Sequence, residues 1–573
     1  MQMRRRIACS MLCFLLITTL IGSVQAQTGR ELPMTGATDD LQNSGVIYVD
    51  ADANGDDDGS SWPNAFNSLQ DALAAASAGA EIWIAEGTYY PDDGAGQTDD
   101  DRSSTFQLKD QVAIYGGFIG GEASLNDRDV AGNPAAILSG DIDQNDVDPI
   151  DGEDGTNAGN AYHVVSVDDS VSTGATLDGV TITGGNADGD AERDESGAGI
   201  YNEGGVLTVR NSMIQGNSAA ANTEAFAARG GAGIYNYAGA TLVVQNSVIT
   251  GNISGLEGGG IANLNFFGST VIVSSLIVED SRITGNTAVR GGGLLNDGTM
   301  TIINSTISGN RTPTVNFGQG AAFTNYGTVT LVNSTLAHNQ ARATGGAIYN
   351  VRGALTINNS TISNNAASSY GGAIDSVAGT ITIRNSTITK NSAGAFAGAI
   401  FNQGDIVFGV PSDRDGTLTI ANTLVAANTS GNGTACSQAD NSSSATTTSG
   451  GGNIFGANGD DGGCVPDFSI GIAPDITPSV GIDRIIGPLA DNGGNVQTHA
   501  IAPNSPALDA GDSTGLPTDL TDLDGDNDTT EPIPFDARGP GFGRVVDGDG
   551  DTFARIDIGA HENQTANVVS VDL

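Results

Sequence analysis

Carboxylates at alternate positions of two glycine-bearing segments are the residues in this chain best suited to chemistry. The first segment reads Asp522-Leu523-Asp524-Gly525-Asp526-Asn527-Asp528, and the second Asp547-Gly548-Asp549-Gly550-Asp551, with Asp557 beyond it. A turning loop of this kind brings several hard oxygens to one point, which is the donor set Ca2+ takes. The pattern predicts structural Ca2+ held by Asp547, Asp549, Asp551 and Asp557, and a second ion at Asp522, Asp524, Asp526 and Asp528. Neither loop is an EF-hand, because no Glu closes it at the twelfth position and no helical pattern flanks it. Asp50, Asp52, Asp56 and Asp58 form a similar but looser group near the N-terminus. Asp141, Asp143, Asp146 and Asp148 follow a strand pattern, where an acid and base pair for glycoside cleavage could stand.

Other catalytic signatures are sparse. The four histidines, His163, His338, His499 and His561, have no metal-ligand spacing, and no Gly-x-Ser-x-Gly elbow marks a nucleophile. Sixty-seven acids against 22 bases give a net charge of −45, which excludes nucleic acid as a main partner. That charge is unevenly placed. Between Gly231 and Gly404 the acids are only Glu257, Glu279, Asp280, Asp297 and Asp375, outnumbered by the bases, so the excess sits in the flanks.

These residues must be positioned by elements with very few bulky side chains, since Gly accounts for 82 of 573 residues and aromatics for 5%. Self-alignment of the chain gives the reason. A unit of a Gly-rich turn, apolar-x-Asn, a short strand, Asn-Ser-Thr-Ile and Gly-Asn recurs, and its apolar-x-Asn elements start 34, 27, 33, 29, 25, 26 and 26 residues apart from Ile200 onward. Three short strands in so few residues cannot close a domain, but they can wind once around an axis and pair with the next turn ~4.8 Å away. The expected fold is therefore all-β, a parallel β-helix, with alternating residues such as Leu355, Ile357 and Ile362 turned inward.

Three asparagine ladders follow from the repeat. The first is Asn202, Asn236, Asn263, Asn296, Asn325, Asn350 and Asn402; the second runs from Asn211 to Asn422, and the third from Asn217 to Asn428. An Asn at a bend tolerates a left-handed backbone and can bond its counterpart one coil along, so the ladders read as structural. Tyr201, Tyr235, Tyr349 and Phe401 share one repeated position. Facing outward they would make a spaced ladder for a long ligand; facing inward they would be core.

The flanks complete the organisation. Arg4 to Arg6, an apolar run from Met11 to Ile21, and Val24-Gln25-Ala26 predict a secretory signal over 1–26, too short to span a bilayer. A disordered linker over 27–45 precedes the β-helix at 46–430, and Ser68-Leu69-Gln70-Asp71 opens a short capping helix. Residues 431–573 form an acidic C-terminal region. Of the four cysteines, only Cys436 and Cys464 survive signal removal, and in an exported chain they are expected to pair as a disulfide.

The chain resembles secreted bacterial right-handed parallel β-helix proteins of the pectin-lyase-like class that carry a choice-of-anchor Q C-terminal region, which implies a right-handed coil. The likeness rests on Ile47-Tyr48-Val49-Asp50, Leu69-Gln70-Asp71-Ala72-Leu73, Ala113-Ile114-Tyr115-Gly116-Gly117-Phe118 and Leu138-Ser139-Gly140-Asp141. It extends to Asn504-Ser505-Pro506-Ala507-Leu508-Asp509-Ala510-Gly511, Asp536-Ala537-Arg538-Gly539 and Asp557-Ile558-Gly559-Ala560-His561-Glu562. The resemblance implies secretion or surface association, while the short stretch after Glu562 lacks the apolar anchor such regions usually precede. Together these readings give a monomeric extracellular module that binds polysaccharide or cell-surface components without cleaving them. A polysaccharide lyase, Ca2+-dependent, or a glycoside hydrolase is the alternative.

Overall fold

The computed structural model describes residues 45–130, 135–146, 156–190, 193–219, 230–267, 270–314, 317–404, 406–407, 410–411, 415–431, 437–438, 445–460 and 474–564. The expected signal, the linker, Asp148, Cys436 and Cys464 lie outside them. Among the described residues the chain builds three long parallel sheets of 13, 12 and 11 strands. Each coil contributes one strand to each. In the coil containing Ile348–Val351, that strand lies in sheet 3, Ala354–Asn358 in sheet 1 and Thr361–Ser363 in sheet 2. This is the right-handed parallel β-helix expected from the repeat and the resemblance together.

Register is kept from coil to coil because the side-chain period is two and one face is buried, with single shifts only in sheet 1, at Trp83–Ala85 and Ile420–Ala421 near its two ends. Ile214, Ile249, Ile283, Ile307, Leu336, Ile362 and Ile388 occupy one inward column of sheet 2, and all join the continuous aliphatic core. At the N-terminal end, helix α1 (Leu69–Ala75) is capped by Ser68, whose hydroxyl accepts from the Asp71 amide. Its Leu69, Ala72 and Leu73 are buried in the same core, which covers the first coil.

The asparagines divide the structural work. In the first ladder each buried amide donates to the next, Asn202 to Asn236, Asn236 to Asn263, Asn263 to Asn296, Asn296 to Asn325 and Asn325 to Asn350, at 2.8–2.9 Å. Asn350 ends the run on Ser376 Oγ, and Asn402 turns to the carbonyls of Gly416 and Thr446. The third ladder repeats this device from Asn217 to Asn428. The second ladder instead holds the corners between sheets 1 and 2, where Asn304 has φ of 49° and Asn359 φ of 48°. Asn is one of the few side chains that adopts that backbone readily.

The coil runs past the expected boundary at residue 430. Thr446–Gly451 and Ile454–Phe455 add strands to sheets 1 and 2. The chain from 474 onward then returns along the outside of sheet 2. Gln497 O accepts from Thr335 Oγ1 at 2.6 Å, Phe535 O from Asn359 Nδ2 at 2.6 Å, and Ala560 N donates to Thr387 Oγ1 at 3.0 Å. Under this cover the outward residues Thr335, Thr361, Ser363 and Thr389 are buried, whereas Arg282, at the edge of the cover where Asn495 reaches Asp280, is exposed.

His499 is central to the contact. Its Nδ1 lies 2.9 Å from Gly487 O and its Nε2 2.9 Å from Ser363 Oγ, so a neutral ring donates to the carbonyl and accepts from the hydroxyl. Burial, reinforced by Lys390, pushes its pKa down to about 4. A depressed imidazole contributes stability that is complete above its unfolded value of about 6.5 and lost as pH falls through about 4, a swing of up to about 3 kcal/mol. Acid titration of the full chain should therefore expose the C-terminal cover over this window, and His499→Asn should flatten that acid dependence. The ladders give a second expected contrast. Asn296→Ala should cost about 1–3 kcal/mol in denaturant unfolding, because it strips a buried donor and acceptor, while Asn304→Gly at a left-handed corner should cost far less.

Candidate functional site

Sheet 3 carries the densest set of functional side chains on its outer face. Within each apolar-x-Asn strand the apolar residue and the Asn turn inward, leaving the middle residue outward. Tyr235, Ala262, Leu295, Thr324, Tyr349, Asp375 and Phe401 fall in one register column. The aromatics at this position thus face away from the core, yet Tyr201, Tyr235 and Phe401 are almost fully buried by a second layer. Tyr201 stacks on Tyr235 at 5.5 Å and lies under Arg193, and Phe401 stacks beneath Tyr370 at 4.8 Å.

That second layer comes from the residue just before each left-handed Gly. Glu257, Arg290, Gln319 and Thr344 pair in succession, and Tyr370 pairs with Phe396. The following residues, Gly258, Gly291, Gly320, Gly345 and Gly371, have φ between 57° and 64°. A Cβ at Gly291 would stand 2.1 Å from Leu294 O, so the turn accepts nothing larger. A third group, Tyr237, Asp297 and Tyr326, follows the Asn positions and is half-buried.

The groups interlock. Arg290 Nη1 donates to Glu257 Oε1 at 2.9 Å, and its charge also acts on Tyr326 and Tyr349. Arg290 Nε is buried without an acceptor. Burial raises the Glu257 carboxyl despite Arg290, raises Asp297, and lifts Tyr326 to about 12. Asp375 is pushed up to about 6 by burial alone, against hydrogen bonds from Thr344 Oγ1 and Gln403 Nε2. Chemically, the face offers rings for stacking, amides and hydroxyls for hydrogen bonds, and one guanidinium with a free donor. Tyr237, Tyr326, Tyr370, Arg290 and Phe396 were not singled out by the repeat. For the first four the signal was available as the position preceding the turn glycine or following the ladder Asn; Phe396 precedes Ala397, which takes the glycine's place in that turn at φ 57°.

The acidic loops lie elsewhere. Asp522, Asp524 and Asp526 bring oxygens within 4.8 Å of one another, while Asp528 turns to Thr530. Asp547 and Asp549 converge with Asp509. Asp551 accepts from the Phe553 amide and stands 3.7 Å from Arg555. Asp557 is buried apart from that loop, with Asp509 and Glu562. Asp50 and Asp58 accept from amides of their own loop, as do Asp141 and Asp143 from Asn145. Asp146 takes a hydrogen bond from Asn160. Among the described residues, every carboxylate trio close enough to share a cation belongs to the flanks.

The motifs Asp509, Asp536-Ala537-Arg538 and Asp557 to Glu562 meet in one buried cluster. Arg538 pairs with Asp536 at 2.6 Å, and Arg544 donates to the carbonyls of Asp557 and Gly559. The Thr498 hydroxyl lies 3.1 Å from His561 Nδ1. Burial pushes Asp557 up to about 6, Glu562 up to about 9 and His561 down to about 3. Arg544, Thr498 and His499 were not legible as members, since they are far apart in sequence and carry no spacing signal.

This geometry defines a parallel β-helix with a folded-back C-terminal cover. A family model described as a right handed beta helix region matches residues 266–409. No curated protein matches the sequence. Among solved structures, the chain is similar to pectate lyase Pel9A, at 14% identity over 91% of this chain and 98% of that one, with a TM-score of 0.36. It is also similar to XylC, solved in complex with xylose, at 12% identity over 72% and 76% of the two chains, with a TM-score of 0.33. Among the described residues, no helix is long and apolar enough to cross a membrane.

The buried Asp375 gives a pH test. A carboxyl with a raised folded pKa contributes stability that is complete below about 3.8 and lost as pH rises through about 6, up to about 3 kcal/mol. Asp375→Asn should abolish this loss and unfold at higher denaturant than wild type at pH 7, as measured by urea titration across pH 4 to 8.

Proposed function

We propose that the protein is a secreted or surface-associated β-helix that binds an extended polysaccharide along the outer face of sheet 3 without cleaving it. One observation carries the reading: aromatic rings and hydrogen-bonding side chains recur there in register over consecutive coils. Coils ~4.8 Å apart repeat on the scale of one sugar residue, so a linear glycan meets side chains at a constant pitch along the face. Half-buried Tyr326, Tyr349 and Tyr370 supply amphipathic platforms.

Export rests on the signal-like residues 1–26, and a monomer with a Cys436–Cys464 disulfide remains part of the proposal. Similarity to the choice-of-anchor Q pattern supports surface association. A second reading, cleavage by a lyase or hydrolase, is favoured by the raised carboxyls of Glu257 and Asp375, which hold protons more readily than exposed acids.

The test is retention of the mature chain on immobilised acidic and neutral polysaccharides, with released chain ends assayed in parallel. Retention without new ends is expected, and Tyr326→Ala with Tyr349→Ala should weaken it by tenfold or more, as stacking contributes about 0.5–1.5 kcal/mol per ring beyond area burial. Unsaturated or reducing ends released in proportion to protein would establish the enzyme instead. Absence of retention on every polymer would remove the binding reading.

A further inference from the structure

The buried cluster in the C-terminal cover has a charge imbalance. Its carboxylates are Asp509, Asp536, Asp557 and Glu562, and its guanidinium groups are Arg538 and Arg544. Exposure is 0% for Asp536, Asp557 and Glu562 and 1% for Arg544, so water cannot neutralise the excess. Arg538 is spent on Asp536 at 2.6 Å, and Arg544 Nη1 stands 3.7 Å from Glu562. With all four carboxyls ionised, two buried negative charges would be left over.

The neighbouring donors do not use up the oxygens. Asp557 accepts from the amides of Asp509 and Asn563. Asp509 accepts from the amides of Gly548 and Asp549. Glu562 Oε2 accepts from the Asp557 amide, but Glu562 Oε1 is buried with no partner at all. An oxygen from each of Asp509, Asp557 and Glu562 lies within 4.8 Å of the other two. Asp509 also stands within the same distance of Asp547 and Asp549 at the surface, which gives an ion a stepwise carboxylate path inward.

We propose that Asp509, Asp557 and Glu562 hold a divalent cation, Ca2+, buried inside the C-terminal cover. The donors are all carboxylate oxygens without sulfur or imidazole, as a hard cation prefers. A doubly charged ion cancels the excess and supplies the missing partner of Glu562 Oε1. Its position also matters to the fold. Gly559 and Ala560, between Asp557 and Glu562, bond to Asn422 O and Thr387 Oγ1 of the coil, so the ion clamps the segment that fastens the cover. The proposal stands independently of glycan binding by sheet 3.

The experiment uses the full mature chain stripped with a chelator and titrated with CaCl2 by calorimetry, with thermal unfolding and metal content measured alongside. Expected are uptake of Ca2+ into a tight site and a rise of several degrees in the first unfolding transition. Glu562→Gln, which keeps side-chain volume, should lose both, whereas Asp524→Asn in the exposed loop should keep both. Two results would overturn the proposal: no Ca2+ uptake by the stripped wild-type chain at millimolar CaCl2, or the same uptake and the same thermal shift in Glu562→Gln. Should Glu562→Gln fail to fold, the wild-type titration alone decides, because absence of a tight site there is sufficient to reject the ion.

Discussion

Polar atoms at the centre of a narrow coil must find partners one coil away, and this constraint shapes the molecule. A β-helix made only of short strands has little room for bulk, and its turns bring backbone and side-chain amides inside. Leaving such groups unpaired costs more than most single contacts return. The two inner Asn ladders resolve this by making each amide both donor to the next coil and acceptor from the last. A serine ladder does the same for the corner amides, Ser247 N donating to Ser281 Oγ and Ser281 N to Ser305 Oγ. Chains of this kind reward uniformity, because one missing member leaves two neighbours short.

Uniformity inside releases the outside to vary. The outward position of sheet 3 holds Tyr, Ala, Leu, Thr, Asp and Phe in successive coils, while the inward Asn beside it hardly changes. The residue before each left-handed turn position varies equally, from Glu257 and Arg290 to Tyr370, each before a Gly, and Phe396, before Ala397. A surface built this way has a fixed pitch and free chemistry. That combination suits recognition of a repeating polymer, and the position is rigid because the chain beneath it is hydrogen-bonded on both sides.

The repeat made the coil readable. Period, alternation and the Asn positions identified strands, the inward column through Ile362 and the left-handed corners before any coordinates. The capping helix followed from Ser68 and the apolar run after it. Two things escaped. Tyr370 and Phe396 sit outside the regular strands, so no alternation marks them. The C-terminal cover was invisible as a packing event, because the contacts of His499 with Ser363 and of Phe535 with Asn359 join positions 136 and 176 residues apart. Acid spacing pointed to carboxylate groupings, and the fold groups Asp557 with Asp509 and Glu562, partners with no spacing rule to predict them.

The coil and its cover thus obey different physics, one held by repeated inter-coil bonds and the other by a small apolar cluster, a few buried charges and the imidazoles of His499 and His561. Local stability need not be uniform in such a molecule. Native-state hydrogen exchange on the full chain tests this directly. Amides of the inner strands, such as those of Leu355 to Ile362, should exchange most slowly, while those of the cover around His499, Phe535 and Gly559 should open together in a separate and less protected step. Equal protection of coil and cover, lost in one event, would contradict the account.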